Sequence, residues 1–266
     1  MLHYTTYLHS TKDKQWVTFV HGAGGSSAIW YKQIKAFKKE FNILLIDLRG
    51  HGKSKAPIYK KLKQYTFDSI SDEIIEVLDH LKIQTSHFVG ISLGTILIRE
   101  ISERYSERVS SLIMAGAVMK LNLRGQILMR FGAVFKSLIP YLILYRFFAV
   151  IIMPKKKHRE SRLLFVNEAK KLRQNEFKRW FTLISQVNPL LAFFRIKDSG
   201  IPTLYVMGQE DHMFLPTISK LVGSHLSAEL VIVPACGHVV NVEKPDFFNS
   251  TVLSYLLHLS ASRSIQ

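Results

Sequence analysis

Short β-rich apolar segments alternate with longer amphipathic segments in this chain, and this alternation restricts the fold more than any other feature. In the stretch from Phe67 to Leu81, for example, Ile70, Ile74 and Leu78 recur at helical spacing. The predicted strands are Trp16–His21, Phe41–Asp47, His87–Ile91, Val109–Ala115, Pro202–Met207 and Glu229–Val233. Strands that alternate with helices build a mostly parallel central sheet with helices on both faces, so the sequence predicts an α/β protein of that architecture.

Further helices are predicted where apolar residues keep the same spacing. They span Thr95 to Tyr105, Pro216 to His225 and Pro245 to His258. The last two begin with proline, which is tolerated there because the N–H groups of a first helical turn have no intrahelical partner. The first begins only a few residues after a predicted strand, so a tight turn must join the two.

The alternation stops after Ala115 and resumes near Ile201. The interval between them is helical in pattern, basic, and rich in Leu, Ile and Phe. We interpret residues 118–200 as a helical cap or lid inserted into a core formed by residues 1–117 and 201–266. No fixed-period repeat or low-complexity linker flanks the interval, so we expect the cap to pack on the core.

Charge is concentrated in the same interval. Met119 to Trp180 holds fifteen Lys or Arg against three Glu, which is +12 of the formal net charge of +16. Two interpretations stand: a solvated basic face, or peripheral contact of the basic cap with an anionic membrane. We expect no nucleic-acid binding, because no recognisable nucleic-acid-binding fold appears. Apolar cap surface could also be buried against a second copy, as a homodimer.

Cysteine content and hydropathy bear on the compartment. Cys236 is the single cysteine and cannot form an intramolecular disulfide, and the first residues show no secretory pattern. The most apolar segment, from Ser137 to Pro154, is interrupted by Pro140 and Arg146, so it is too short to span a bilayer. We therefore expect a cytoplasmic protein, with peripheral contact at the inner membrane surface as an alternative.

The segment Gly90-Ile-Ser-Leu-Gly94 lies between a predicted strand and a predicted helix. This is the context of a nucleophile elbow, a turn so tight that glycine is needed where a side chain would strike the neighbouring strand and helix. The alternative is an ordinary Gly/Ser turn. The strand–turn–helix context favours Ser92 as a nucleophile.

A serine nucleophile needs a base, and the base needs a carboxylate to hold its tautomer. His238 follows the last predicted strand and can reach the same sheet edge as Ser92. Asp211 directly follows the strand before it and is the predicted acid, with Glu210 and Asp198 as weaker alternatives. Asp211 as a mere turn former is the structural alternative.

Stabilising a developing oxyanion requires backbone N–H groups. The glycine-rich turn His21-Gly-Ala-Gly-Gly-Ser26 follows the first predicted strand, so the amides of Ala23 and Leu93 are the predicted oxyanion hole. The turn lacks the Gly-Lys-Ser/Thr of a phosphate loop, and Ser27 replaces the third glycine of a dinucleotide motif. We expect no cofactor and no metal site.

Four motifs occur in order along the chain. They are His21 to Gly25, Asp47-Leu-Arg-Gly-His-Gly-Lys-Ser54, Gly90 to Gly94, and Gly208-x-x-Asp211 with Gly237-His238. Over nearly its whole length the chain resembles a capped α/β-hydrolase of the carboxylesterase or lipase type. The resemblance implies a Ser92, Asp211 and His238 triad, an oxyanion hole from Ala23 and Leu93, and a mainly structural role for residues 47–54, which leaves Arg49 and His51 outside the catalytic set.

The predicted function is a serine hydrolase that cleaves carboxylic esters of apolar acyl groups. Thioesterase, lactonase, amidase and carbon–carbon hydrolase activities remain alternatives on the same triad, as does a non-catalytic binding protein. A serine nucleophile argues against the dehalogenase and epoxide hydrolase branches, which attack with aspartate. Ten apolar cap residues either form cap core or line an acyl pocket: Leu123, Ile127, Leu128, Phe131, Phe135, Leu138, Ile139, Tyr141, Leu142 and Phe147.

Overall fold

A seven-stranded sheet organises the protein, and its strand order is β1-β3-β2-β4-β5-β6-β7. The computed structural model describes residues 1–11, 13–54, 65–121, 125–127, 132 and 139–263. The strands are β1 (Tyr4–Tyr7), β2 (Trp16–Val20), β3 (Asn42–Ile46), β4 (Ser86–Ile91), β5 (Val109–Ala115), β6 (Thr203–Gly208) and β7 (Ala228–Val233). All neighbours pair in parallel except β1 and β3. The predicted mostly parallel sheet is confirmed.

The edge strand β1 was not predicted. It pairs antiparallel with β3, with Tyr4 opposite Ile46 and Tyr7 opposite Ile43. All four of its residues are only half-buried, so it lacks the apolar run that marks the other strands. Its composition of Tyr and Thr, residue types enriched in strands, is the signal that could have identified it.

Strand residues alternate between two hydrophobic cores, one on each face of the sheet. In β3, Leu44 and Ile46 belong to one core, and Ile43 and Leu45 belong to the other, as the two-residue period of a strand requires. Helices cover both faces, as predicted. The first core contains residues of α2 (Phe67–His80), α3 (Leu93–Arg104) and α8 (Leu215–Val222), and the second contains residues of α1 (Tyr31–Phe37), α9 (Val240–Glu243) and α10 (Pro245–Arg263).

Every regular element described between β5 and β6 is helical. We call the following the inserted helices: α4 (Tyr141–Ile152), α5 (Arg159–Ala169), α6 (Gln174–Ser185) and α7 (Asn188–Ile196). They share a core of their own, formed by Leu144, Tyr145, Ala169, Leu172, Phe177 and Phe181. Other inserted residues join the two sheet cores, among them Met153 on one face and Leu191 on the other. The inserted helices therefore pack directly on the sheet body.

The inserted helices are also tied to the turn after β3. The Trp180 indole Nε1 donates to the Arg49 carbonyl at 3.0 Å. Arg49 itself forms a fully buried ion pair with Glu73 of α2, at 2.8 Å. Gly50 leaves room for the neighbouring Glu176 carboxylate, which would lie 2.5 Å from a β-carbon at that position. Residues 47–54 thus connect the body to α6.

The most apolar helix, α4, has 12 residues. Pro140 lies immediately before it and Arg146 lies within it. A span of the bilayer needs about 20 apolar residues. Among the helices of the described ranges, none is long and apolar enough to cross a membrane.

Candidate active site

Ser92 occupies a strained turn between β4 and α3. Its backbone angles are φ 53° and ψ −119°, in a region that side chains other than glycine rarely adopt. Such a conformation costs about 1–3 kcal/mol and persists only where its surroundings enforce it. Here the Ser92 amide donates to the Ala115 carbonyl at 3.1 Å, and the Thr95 amide donates to the Ser92 carbonyl at 2.9 Å. The turn thereby presents the serine at the carboxyl end of the sheet.

Close backbone packing explains the glycines around Ser92. A β-carbon on Gly94 would lie 2.3 Å from the Val20 carbonyl oxygen, and one on Gly90 would lie 2.8 Å from the Gly94 carbonyl carbon. Neither backbone contact can yield without moving β2 or α3. The spacing Gly90-x-Ser92-x-Gly94 is therefore a packing requirement of this strand–turn–helix unit.

The structure brings Ser92, His238 and Asp211 together. His238 Nε2 lies 3.0 Å from Ser92 Oγ, and His238 Nδ1 lies 2.7 Å from Asp211 Oδ2. A carboxylate can only accept, so Nδ1 carries the proton and donates to Asp211, which leaves Nε2 to accept from the serine hydroxyl. The Asp211 side chain is completely buried. This arrangement can withdraw a proton from the serine hydroxyl.

Two adjacent loops deliver the acid and the histidine. The loop after β6 carries Asp211 and the loop after β7 carries His238, and the Glu210 amide donates to the Cys236 carbonyl between them at 2.9 Å. Gly116, with φ +48°, allows the His238 carbonyl to approach, since a β-carbon there would lie 2.3 Å from that oxygen. These contacts fix the imidazole relative to the end of β5.

The alternative acids are engaged elsewhere. Glu210 pairs with Lys157 at 2.5 Å and with Lys155 at 3.0 Å. The hydrogen bond from Lys157 is the main cause that lowers the pKa of Glu210 to about 2. Asp198 accepts from the amides of Gly200 and Ser227 and thereby stabilises the turn before β6. Neither carboxylate contacts the imidazole of His238 in the structure.

The lone cysteine lies beside these loops without an exposed thiol. Cys236 is fully buried, and burial raises the pKa of its thiol to about 12. A thiol held protonated is a poor nucleophile. Within the described ranges, no group of three or more His, Cys, Asp or Glu side chains is arranged to hold a metal ion.

The glycine turn after β2 is held by two histidines. The Gly24 amide donates to His51 Nε2 at 3.0 Å, and the Leu48 amide donates to His21 Nε2 at 2.9 Å. Both imidazoles accept at Nε2, so both are neutral, and His21 Nδ1 donates to the Gly22 carbonyl at 2.8 Å. Burial lowers the pKa of His21, which keeps this imidazole neutral.

Residues 47–54 were expected to be mainly structural, with His51 outside the catalytic set. The structure shows that His51 and Asp47 position the glycine turn directly, because Asp47 Oδ1 also accepts from the Ser27 amide at 2.7 Å. The presence of Asp47 and His51 in one short motif after β3 was the available signal. These residues act through the turn, so they are positioning residues.

A cavity of about 370 Å³ opens at Ser92. Ala23 and Leu93, the predicted oxyanion-hole residues, both line it beside Ser92 and His238. Most of the remaining wall is apolar, and the inserted helices contribute Tyr145, Phe148, Leu164, Phe165, Phe177 and Phe181. The shape and lining suit an apolar ligand delivered to a serine.

Charged groups at the cavity wall are already paired. Lys32 Nζ lies 3.6 Å from Glu160 Oε1 and 3.4 Å from the Val242 carbonyl. The Glu168 carboxylate accepts from Ser26 Oγ at 2.7 Å and pairs with Lys171. A negatively charged ligand group would therefore have to compete for a cation among the described lining residues.

Among the described residues, the inserted segment contributes to the pocket wall side chains other than those singled out in the sequence. Leu123, Leu128, Phe131, Phe135 and Leu138 lie outside the described residues. Of the others, Ile127, Ile139, Tyr141, Leu142 and Phe147 are absent from the described cavity wall. Tyr145 and Phe148 of α4 occupy the wall instead, because the helix turns a different face inward.

Comparisons with known proteins identify the family of the chain. Residues 15–245 match the family model described as alpha/beta hydrolase fold. The chain is 23% identical to 3-oxoadipate enol-lactonase 2 of Acinetobacter baylyi over 94% of its length and 91% of that protein. It superposes on MenH from S. aureus with a TM-score of 0.83 at 18% identity, covering 98% of this chain and 100% of the other.

An esterase from Exiguobacterium antarcticum is similar as well, with a TM-score of 0.80 at 17% identity over 96% of this chain and 94% of that one. At such low identity the structural neighbours show the fold only. The family model spans most of the chain and therefore shows the family as well as the fold. The chain belongs to the alpha/beta hydrolase fold family, and the resemblance seen in its sequence motifs is confirmed.

Proposed function

We propose that this hydrolase-family chain is a serine hydrolase that cleaves carboxylic esters of apolar acyl groups. One observation carries the proposal: the hydrogen-bonded series Ser92 Oγ, His238 Nε2 and Nδ1, and Asp211 Oδ2 begins at a serine that lines a largely apolar cavity. A binding protein has no use for a proton relay of this kind. An apolar wall beside the nucleophile favours an acyl chain over a polar substituent.

In the proposed reaction, His238 takes the proton of Ser92 as Oγ attacks the acyl carbonyl carbon. The tetrahedral intermediate collapses when His238 returns that proton to the departing alkoxide, which leaves an acyl-serine. Water then attacks the acyl-serine with His238 again as base, and the carboxylic acid is released. Asp211 keeps the imidazole in the required tautomer and stabilises its cationic form.

The amides of Ala23 and Leu93 are the proposed oxyanion donors. Both residues border the cavity next to Ser92, and the turn that carries Ala23 is fixed by His21 and His51. Preorganised donors of this kind stabilise the charge that develops on the carbonyl oxygen without reorganising during the reaction.

Cavity size supports an acyl chain of medium length. A methylene group takes up about as much space as a water molecule, ~30 Å³. The cavity of about 370 Å³ therefore has room for about twelve such groups, which is an acyl chain of about ten carbons together with the ester oxygens. We expect kcat/KM to rise from acetate toward octanoate or decanoate esters and to fall for much longer chains.

Lactone hydrolysis is the second candidate, and the similarity to an enol-lactonase favours it. A lactone is an internal ester, so the same nucleophile, base and oxyanion donors would serve. The paired charges at the cavity wall support a neutral lactone over one that bears a free carboxylate. A neutral medium-chain lactone tested beside its open-chain ester would separate the two candidates.

The decisive experiment combines a fluorophosphonate probe with p-nitrophenyl esters of increasing acyl length. We expect wild-type protein to be labelled and to turn over, and Ser92→Ala to lose labelling and at least about 10⁴-fold in kcat. Ser250→Ala, an exposed serine on α10, is the matched control and should retain both. Labelling that survives in Ser92→Ala would refute the assignment of the nucleophile. A wild-type protein that is neither labelled nor active would favour the binding-protein interpretation.

A further inference from the structure

Tyr145 of α4 directs its hydroxyl at the glycine turn. A β-carbon placed on Gly24 would lie 2.0 Å from the Tyr145 hydroxyl oxygen and 2.4 Å from Cζ, so the hydroxyl end of the ring is the part nearest the turn. Gly24 has φ +69° and follows Ala23 directly. Tyr145 also lines the cavity that Ser92 and His238 border. The inserted helices therefore place a phenol beside the proposed oxyanion donors.

The Tyr145 ring is fixed by its aromatic neighbours. Its centroid lies 4.9 Å from that of Phe165 and 5.6 Å from that of Phe177. Only 5% of the residue is exposed. A ring held this way cannot swing its hydroxyl into solvent without breaking the core of the inserted helices.

The Tyr145 hydroxyl makes no hydrogen bond with another residue of the described ranges. Tyr141, one turn earlier on the same helix, differs in this respect, because its hydroxyl donates to the Leu172 carbonyl at 2.6 Å. Tyr145 lines the cavity, so a molecule held there, whether water or a ligand, can supply an acceptor to the hydroxyl.

The Tyr145 hydroxyl is a hydrogen-bond donor over the neutral pH range. Burial raises the pKa of Tyr145 well above its ordinary value, so the phenol stays protonated. The proposed substrate is apolar along its acyl chain, and its ester group supplies the nearest acceptors. The ester group must lie at Ser92 for the reaction to occur. The glycine turn is close to Ser92, because a β-carbon placed on Gly22 would lie 3.2 Å from Ser92 Cβ.

We propose that Tyr145 is a substrate-binding residue whose hydroxyl donates a hydrogen bond to the ester group held at Ser92, beside the amides of Ala23 and Leu93. This inference rests on the proposed function. In this proposal the inserted helices contribute a hydrogen-bond donor to the site in addition to its apolar wall. Every substrate shares the ester group, so the contribution of Tyr145 must be independent of acyl length.

Tyr145→Phe tests the inference with p-nitrophenyl butyrate, octanoate and decanoate, and Tyr141→Phe is the matched control on the same helix. We expect Tyr145→Phe to lower kcat/KM by about 10- to 100-fold, and by the same factor for each ester. Tyr141→Phe should stay within about twofold of wild type. The melting temperature of Tyr145→Phe should not fall, because no intramolecular hydrogen bond is lost.

Two results would overturn the inference while leaving the proposed function intact. One is a Tyr145→Phe enzyme with wild-type kcat/KM and wild-type fluorophosphonate labelling. The other is a loss confined to the KM of the longest ester, which would make Tyr145 a wall residue of the acyl pocket only. A wild-type protein without labelling or turnover would instead remove the proposed function itself, and this inference with it.

Discussion

The sheet body and the inserted helices contribute to the site in different ways. The body supplies Ser92, Asp211 and His238 from turns at the ends of β4, β6 and β7, where backbone contacts leave little freedom. The inserted helices supply most of the aromatic cavity wall from helix faces. Under the proposed function, chemistry depends on a few sharply constrained turns, whereas selectivity depends on a broad apolar surface. The two regions should therefore respond differently to substitution.

The largest expected effect concerns the body. Asp211→Asn should lower kcat by about 10⁴-fold for every ester, because an amide can donate to His238 Nδ1 and so favour the wrong tautomer. Glu210→Gln changes the neighbouring carboxylate, which pairs with lysines of the insertion, and should stay within a few-fold of wild type. Steady-state kinetics of the two variants give the comparison. Equal losses in both would contradict the assignment of the acid.

A smaller, selective effect is expected from the inserted helices. Phe148 lines the cavity and stacks on Phe181, with centroids 5.8 Å apart. Phe148→Ala should lower kcat/KM for octanoate esters by about tenfold, through lost apolar contact, and leave acetate esters within about twofold. Phe193→Ala removes an exposed ring of α7 that does not border the cavity and serves as control. A uniform loss at all acyl lengths would show that Phe148 acts on the turns of the body instead.

The third prediction concerns the sheet body, where we expect His21 to make stability depend on pH. His21 is buried and neutral with a lowered pKa, whereas in the unfolded chain its pKa is about 6.5. Its contribution to stability is thus complete above pH ~6.5 and is lost as the pH falls below that value. We expect the melting temperature to drop by a few degrees between pH 7 and pH 5, and to drop less in His21→Asn. Identical drops in both proteins would rule out His21 as a source.

The weakest expected effect belongs to the insertion and its charge. The stretch from Met119 to Trp180 carries +12, and basic residues near an anionic lipid surface contribute about 1 kcal/mol each. Peripheral membrane contact stays a prediction. It requires cosedimentation with anionic vesicles at low salt that is lost at high salt, and none with neutral vesicles. Absence of cosedimentation at low salt would leave a solvated basic face.

The same contrast explains which parts of the molecule could be predicted. The interior strands are apolar runs bounded by turns, so their positions followed from the sequence within a residue or two. Ser92, Asp211 and His238 follow strand ends, and parallel strands bring their carboxyl ends to one edge. The edge strand β1 escaped because its residues are half-buried and its register depends on β3.

The cavity wall could not be predicted because α4 is apolar on every side. Leu144, Tyr145 and Ala149 are buried, whereas Ile143 and Val150 are each 55% exposed. No periodicity distinguishes these faces in the sequence, so the inward face is decided by tertiary packing against the glycine turn and the aromatic side chains of α5 and α6. The particular contact of His51 could not be predicted for a similar reason, since its partner, the Gly24 amide, is 27 residues away along the chain.

The backbone strain at Ser92 has a consequence for attempts to make this protein more robust. Glycine would adopt the Ser92 conformation without the steric penalty, so Ser92→Gly should be at least as stable as wild type while lacking the proposed nucleophile. Directed evolution that selects only for heat resistance would thus tend to replace Ser92 with glycine and lose activity. A selection for thermotolerance in this protein must score turnover in every round, or the most stable survivors will be inert.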